Sequence, residues 1–346
     1  MIDLKDFGYR EEKAPPAGCK PGRITAVHRE RYELIGADGP LFGKLKAGVY
    51  YNTSEEIFPT VGDFVFYRPI ALNDCQIVKT LPRTSYFARL DPNPNGGTQQ
   101  AVAANIDIAF IMTSLNQDFN LSRLERYLAL ARQSNAKPVI ILTKADLAAD
   151  YENEMAITMA IAGDAEVIPV SVVDGTGLDL LNKILKPRLT AVFIGMSGVG
   201  KSSLLNCLMG DDVMHTSEVR ESDSRGRHTT THRQLFMLPS GAMVIDTPGM
   251  RVMGMWEADE GLSETFSDLE TLGGSCRFSD CRHQTEPGCR VRAAIASGEI
   301  SEEHWQNYLK LKKESAFALN KAEMLRMKSA RNKMIALDKR KLPWKK

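Results

Sequence analysis

Between residues 22 and 80, apolar and polar positions alternate in the short runs GRITAVH, RYELIG, LFGKL, DFVFYRP and CQIVKTL. Turn-forming stretches at Ala37-Asp38-Gly39-Pro40 and Val61-Gly62-Asp63 separate them. A period of two is that of a strand with one buried face, so this span predicts a small five-stranded barrel. An OB-fold is the commonest nucleic-acid-binding barrel of this kind, while an SH3-like barrel or a small sandwich satisfies the same pattern. The reading assigns a flexible leader to 1–21 and the barrel to 22–90. Asp91-Pro-Asn-Pro-Asn-Gly-Gly97 supports neither helix nor strand and reads as a linker.

The pattern changes from about residue 100 to 255. Uninterrupted apolar runs at Ile106–Met112, Pro138–Leu142, Val167–Val170, Ala191–Ile194 and Ala242–Ile245 are buried strands, and Ser122–Gln133 has the spacing of an amphipathic helix. Apolar strands that end in Gly-, Thr- and Asp-rich loops predict a mostly parallel α/β sheet with ligands at the strands' C-terminal edge. A third region, 261–346, holds a cysteine cluster and a basic helical tail. The expected fold is therefore multidomain, an N-terminal β-barrel, a central α/β phosphate-loop domain at 100–255 and a C-terminal metal-binding helical domain.

The loops carry the chemistry. Gly195-Met196-Ser197-Gly198-Val199-Gly200-Lys201-Ser202 matches GxxxxGKS between a strand and the helix KSSLLNCLM. In such a loop backbone N–H groups turn inward around the β-phosphate, Lys201 reaches the β and γ oxygens, and Ser202 is a magnesium ligand. Ser203 continues the nucleotide-binding set. Downstream, DTPG places Asp246 for the magnesium shell and the Gly249 N–H for the γ-phosphate. Thr143-Lys144-Ala145-Asp146 matches a guanine-reading element. A carboxylate at Asp146 accepts both N1–H and the exocyclic amino group of guanine, a donor pair adenine lacks. Without the other motifs, a T-x-x-D strand end is equally a helix N-cap. Ser171, Gly175 and Gly177 are candidates for closing the base pocket.

The order of these parts is unusual, because TKAD precedes the phosphate loop. The set is complete but circularly permuted, so the switch after Asp246 leads straight into the C-terminal region. Met250 follows the DxxG glycine where many GTPases carry a water-orienting glutamine, and a thioether cannot orient or deprotonate water. His228, beside Thr229, Thr230 and Thr231, is the best local replacement, with a solvent-facing histidine as the alternative. Thr229 and Thr230 are candidates for the γ-phosphate and magnesium, and Arg225 and Arg227 for charge stabilisation.

Cys276-x4-Cys281-x-His283-x5-Cys289 offers three thiolates and one imidazole, a closed tetrahedral set suited to one structural zinc ion. The remaining cysteines are scattered, which fits a metal site in a reducing compartment better than a disulfide framework. Net charge is +1, but residues 302–346 contain 13 Lys and Arg against 5 Asp and Glu; the tail is +8 and residues 1–301 sum to −7. A phosphate-rich partner suits that tail, as does a plain solvated helix. No apolar stretch approaches the ~20 residues of a membrane span and the polar start lacks a signal peptide's core, so a cytoplasmic location is expected.

The barrel, TKAD, GMSGVGKSS, RGRHTTT, DTPG and CRFSDCRHQTEPGC, in that order, make the chain resemble the RsgA/YjeQ family of circularly permuted, ribosome-associated GTPases. The resemblance covers nearly the whole length. It implies an RNA-binding OB domain, a GTPase domain and a zinc domain, with GTP hydrolysis stimulated by the small ribosomal subunit and its rRNA during late maturation. It implies a hydrolytic role for His228 and use of Mg2+ with GTP and GDP, and a monomer is expected. Gly198 stands where potassium-activated relatives often carry Asn, so potassium activation is not part of what it implies. A GTP-regulated RNA-binding scaffold with incidental hydrolysis, and a metabolic GTPase, are the competing readings.

Overall fold

The computed structural model describes residues 2–10, 14–28, 31–50, 57–90, 99–210, 233–246 and 258–341. It forms two units, Met1–Phe87 with Ala101–Arg251, and Ala88–Gln100 with Val252–Lys346.

The first unit begins with the expected barrel. Its strands are β1 (Lys20–Val27), β2 (Tyr32–Gly36), β3 (Gly39–Leu45), β4 (Phe64–Ala71) and β5 (Asp74–Thr80), with a helical turn α1 (Ala47–Tyr50) after β3. β1 runs antiparallel to β2, β2 to β3 and β5 to β4, while β3 and β5 are parallel. Pairing of β1 with β4 closes the cylinder, giving an OB-like barrel. Alternate positions point inward as the sequence predicts: Ile24, Leu34, Val65, Tyr67 and Ile77 fill the interior, with Tyr50 of α1 packed against them. Asp74 and Lys20 mark ends that the sequence pattern placed a residue or two inside.

Strands β6 (Tyr86–Leu90) and β7 (Gln99–Ala104) pair as a two-stranded ribbon. The Pro- and Asn-rich segment between them lies outside the described residues. The α/β part then runs β8 (Ile108–Ser114), α2 (Leu121–Gln133), β9 (Lys137–Thr143), α3 (Glu152–Ala162), β10 (Glu166–Val170), α4 (Leu178–Ile184), β11 (Thr190–Gly195), α5 (Lys201–Met209), β12 (Gln234–Met237) and β13 (Met243–Asp246). β10, β9, β8, β11 and β13 form a parallel sheet in that order, and β12 joins antiparallel to β13. Both faces are covered, which is why these strands are apolar throughout; Phe110, Met112, Ile141, Phe193 and Val244 are all buried in one core.

The barrel and the sheet are continuous. Ala26 of β1 pairs with Gln234 of β12, and Gln234 pairs with Asp246 of β13. Below this ladder Arg23 is 1% exposed and uses all five of its N–H groups. It donates to the carbonyls of Phe7, Gly62 and Asn105, to Thr190 Oγ1 and to Met243 Sδ. Burial lowers its pKa to about 10 against the attraction of Asp107 and Asp63. Thr190 and Met243 begin β11 and β13, so one barrel guanidinium fixes the starts of the strands that end at Gly195 and Asp246. Nearby, Asp63 forms a two-point ion pair with Arg83, Oδ1 to Nε 2.8 Å and Oδ2 to Nη2 2.7 Å.

The second unit is helical: α6 (Asp259–Thr265), α7 (Ser267–Gly274), α8 (Arg290–Ser297) and the 40-residue α9 (Glu302–Lys341). Leu262, Phe266, Leu269, Val291, Trp305, Tyr308 and Leu311 are buried. Phe266 packs against Tyr308 with ring centroids 5.3 Å apart, and His304 Nε2 lies 3.1 Å from the Asp268 carboxylate.

Candidate nucleotide and metal sites

Four neighbouring strands, β10, β9, β8 and β11, bring the permuted motifs to one edge. Val170 of β10 is level with Thr143 of β9, Thr143 with Ser114 of β8, and Gly195 of β11 with Met112 of β8. Motifs about fifty residues apart in the chain therefore open side by side. Parallel strands set this edge, since each loop leaves at the C-terminal end.

The phosphate loop leaves β11 at Gly195 and enters α5 at Lys201. Gly200 has φ 104°, a backbone state that an L-residue does not tolerate, and it turns the chain into the helix. Lys201 Nζ donates to the carbonyls of Gly195 and Met196 at 2.7 and 2.6 Å, folding the side chain back over the loop. Ser202 lies in the first turn of α5, and Asp246 ends β13, the parallel neighbour of β11. These two residues approach the same strand edge, as a nucleotide-bound Mg2+ requires.

Thr143 links the TKAD segment to the phosphate loop directly. Its side chain is buried, and the hydroxyl lies 2.7 Å from the Val199 carbonyl, to which it donates, and 3.3 Å from the Thr113 carbonyl. The threonine thus pins TKAD to the phosphate loop. Lys144 follows in the left-handed region at φ 60°, and Ala145–Leu147 form a 3-10 turn on which Asp146 is exposed. Beside it, buried Ser171 accepts from the N–H groups of Val173 and Asp174 at 3.1 and 3.3 Å. Asp174 accepts from Thr176 N at 2.9 Å, which holds its carboxyl below the usual range. Gly177 closes the loop at φ 73°, where a Cβ would lie 2.1 Å from the Pro169 carbonyl oxygen. Next to this frame, Leu147 and Val173 are 67% and 79% exposed and leave apolar surface open.

His228, Thr229, Thr230 and Gly249 lie outside the described residues, as do Arg225, Arg227 and Met250. The residues that sequence reasoning missed are structural partners of the site. Gln234 is the rung between the barrel and Asp246, and Arg23 is the clamp below it. Neither carries a motif, and only the pairing of β12 exposes their position.

In the second unit, one ligand atom from each of Cys276, Cys281, His283 and Cys289 falls within 4.8 Å of the others, so the group could hold a metal ion. Cys276 Sγ is 3.9 Å from Cys289 Sγ and 3.5 Å from His283 Nδ1, and His283 Nδ1 is 3.4 Å from Cys289 Sγ. A tetrahedral zinc ion with its usual bond lengths needs S···S edges of about 3.8 Å and S···N edges of about 3.6 Å. The cluster is consistent with zinc binding. Backbone N–H groups point at the sulfurs, Arg290 N at Cys276 (3.4 Å) and Arg292 N at Cys289 (3.5 Å). The Glu286 carboxylate accepts from Arg282 N, Gln284 N and Thr285 N, and backbone N–H groups of this turn, its own included, lower its pKa to about 2. The His283 ring stands edge-on to Trp305, centroids 5.6 Å apart at 89°, which fixes its orientation.

Residues 80–256 match the family model described as RsgA GTPase. The chain belongs to the RsgA GTPase family. Relatives span nearly all of it. The small ribosomal subunit biogenesis GTPase RsgA 1 of Listeria innocua is 44% identical over 324 residues, covering 92% of this chain and 91% of its own. A small ribosomal subunit biogenesis GTPase RsgA from Leptospira interrogans is 38% identical over 339 residues, covering 96% and 93%. Two solved structures share the architecture. YjeQ from Thermotoga maritima has a TM-score of 0.61 at 25% identity, covering 85% of this chain and 97% of that one. YloQ, a circularly permuted GTPase, has a TM-score of 0.60 at 26% identity, covering 86% and 95%. Membership of this family makes GTP hydrolysis the chain's activity. Among the described residues no helix is long and apolar enough to cross a membrane.

Proposed function

We propose that this chain hydrolyses GTP in response to the small ribosomal subunit and uses the GTP/GDP switch in late maturation of that subunit. The observation that carries the reading is the joining of TKAD to the phosphate loop through Thr143 and Val199 in a permuted frame, together with relatives named for small-subunit biogenesis. GTP lies with its base between Lys144 and the Ser171–Gly177 loop, reads against Asp146, and places its phosphates along Gly195–Ser203. Ser202 and Asp246 would hold Mg2+, which would supply neutralisation of charge on the phosphates. Thr229 or Thr230 and the Gly249 N–H sense the γ-phosphate. His228 orients a water for attack on the γ-phosphorus; the bond to the β-γ bridging oxygen breaks, giving GDP and inorganic phosphate.

Cys276, Cys281, His283 and Cys289 would hold one zinc ion in a structural part, since a full protein ligand set leaves no position for water. The barrel and the basic end of α9 supply contacts for rRNA, with the protein acting as a cytoplasmic monomer. The permuted order connects the Asp246 switch to the helical unit, so γ-phosphate contacts bias what that unit presents to the subunit. Subunit affinity, measured with GDP and with a non-hydrolysable GTP analogue, tests this. Tighter binding of the GTP form is expected, with an equal preference of the subunit for GTP over GDP by linkage. Equal affinities would refute the coupling.

A further inference from the structure

A cavity of about 610 Å³ lies between the leader, the barrel and the base of the parallel sheet, and the nucleotide site uses none of it. Asp107, Lys137 and Thr190 line it from at or just before the starts of β8, β9 and β11, whereas Thr143 and Gly195 close the opposite ends of two of these strands. From Thr190 to Gly195 a strand rises about 16 Å, so a ligand here would not reach the phosphate loop. Size and place are those of a small-molecule pocket at a junction between folding elements.

The lining is aromatic and cationic. Tyr9, Phe64 and Phe66 supply ring surface, with Tyr9 and Phe64 tilted at 5.5 Å between centroids. Lys5, Arg10, Arg23, Lys137 and Arg188 face it, and among the described residues its lining carboxylate is that of Asp107. Asp107 Oδ2 already accepts from Thr190 N at 2.8 Å. Lys137 and Arg188 pair with Glu166 and Asp6 at 2.7 and 3.2 Å, but both pairs are exposed and screened. The Arg23 guanidinium lies 4.9 Å from the Phe64 ring centroid, and every partner of its N–H groups is neutral. Among the described residues no carboxylate contacts its buried charge, which Asp107 and Asp63 attract only from a distance, an arrangement that favours a further anion nearby. This surplus stands in a region, residues 1–301, whose formal charge is −7.

We propose that this cavity is a second ligand site for a planar aromatic anion, its ring against Tyr9, Phe64 and Phe66 and its phosphate, sulfonate or carboxylate group toward Lys5, Lys137 and Arg188. The site is separate from the guanine nucleotide site and stands whether or not the subunit coupling does.

The test is calorimetric titration of the full-length protein, saturated with GDP and Mg2+, with 8-anilino-1-naphthalenesulfonate as the probe. Binding of one probe per chain is expected. Lys5→Glu with Lys137→Glu, both on exposed side chains, should weaken it about tenfold. The uncharged N-phenyl-1-naphthylamine should bind about tenfold more weakly than the sulfonate. Thr84→Trp, which fills the cavity from its exposed rim, should remove the site while GDP affinity holds. If that variant melts early, the charge-reversal pair and the uncharged dye decide alone. Unchanged sulfonate affinity in the charge-reversal variant, or equal binding of the uncharged dye, overturns the proposal.

Discussion

Single residues set what the nucleotide edge can read. Asp146 is exposed on a 3-10 turn and makes no contribution to the core, so its carboxylate is available for the base. Asp146→Asn should lose GTP affinity and gain affinity for xanthosine triphosphate, whose second carbonyl offers the complementary group; equal weakening of both nucleotides in a competition assay would assign it a structural part instead. Thr143 acts differently. Its hydroxyl is buried on the Val199 carbonyl, and Thr143→Val keeps the shape while leaving that acceptor without its donor. GDP binding should weaken about tenfold, roughly 1.4 kcal/mol, through a displaced phosphate loop; unchanged GDP affinity in calorimetry would show that the bond is incidental. TKAD was legible in the sequence as four letters at a strand end. That its first residue holds the phosphate loop was not, because the contact spans 56 residues and needs the register of β8, β9 and β11.

At the scale of elements, strands marked by alternation or by an apolar run were readable, and short or stripe-less elements were not. The five barrel strands and the five parallel strands appear where alternation and apolar runs predict them, with ends shifted by a residue or two. The helix α3, ENEMAITMAIA, has no apolar stripe on one side, and α4 is only seven residues long, so neither gives a helical signal. β12 is four residues long and is a strand only because β1 and β13 pair with it. That junction predicts cooperative behaviour. The barrel and the α/β part should unfold in one transition, and Arg23→Met should destabilise by about 3 kcal/mol, since it removes the donor from Phe7, Asn105, Thr190 and Met243 and leaves Gly62 with the Asn105 amide alone. Urea denaturation followed by barrel and sheet reporters checks this, and two separate transitions in the unsubstituted protein would contradict it. The metal cluster was legible because its ligands lie within fourteen residues of one another in the chain. Chelation should release about one zinc per chain, and Cys281→Ser should loosen the helices around Trp305 with GTP binding kept; metal-free protein with undiminished order in tryptophan fluorescence would rule out a structural ion.

For the whole molecule, the permuted order makes the strand that ends at Asp246 the last of the α/β sheet, with the helical unit following in the chain. His228 stands in the segment before β12, the strand hydrogen-bonded both to the barrel and to β13. His228→Ala should keep GTP binding and subunit docking while suppressing hydrolysis, because it removes only the group assigned to orient water where Met250 replaces glutamine; wild-type turnover in that variant would clear the histidine. The central claim is that the small ribosomal subunit is what this GTPase answers to. The most direct measurement is steady-state GTP turnover with and without purified small subunits, with large subunits as the control. Slow basal hydrolysis that rises at least about tenfold with small subunits alone is the result expected, whereas a rate that neither subunit changes would contradict the account.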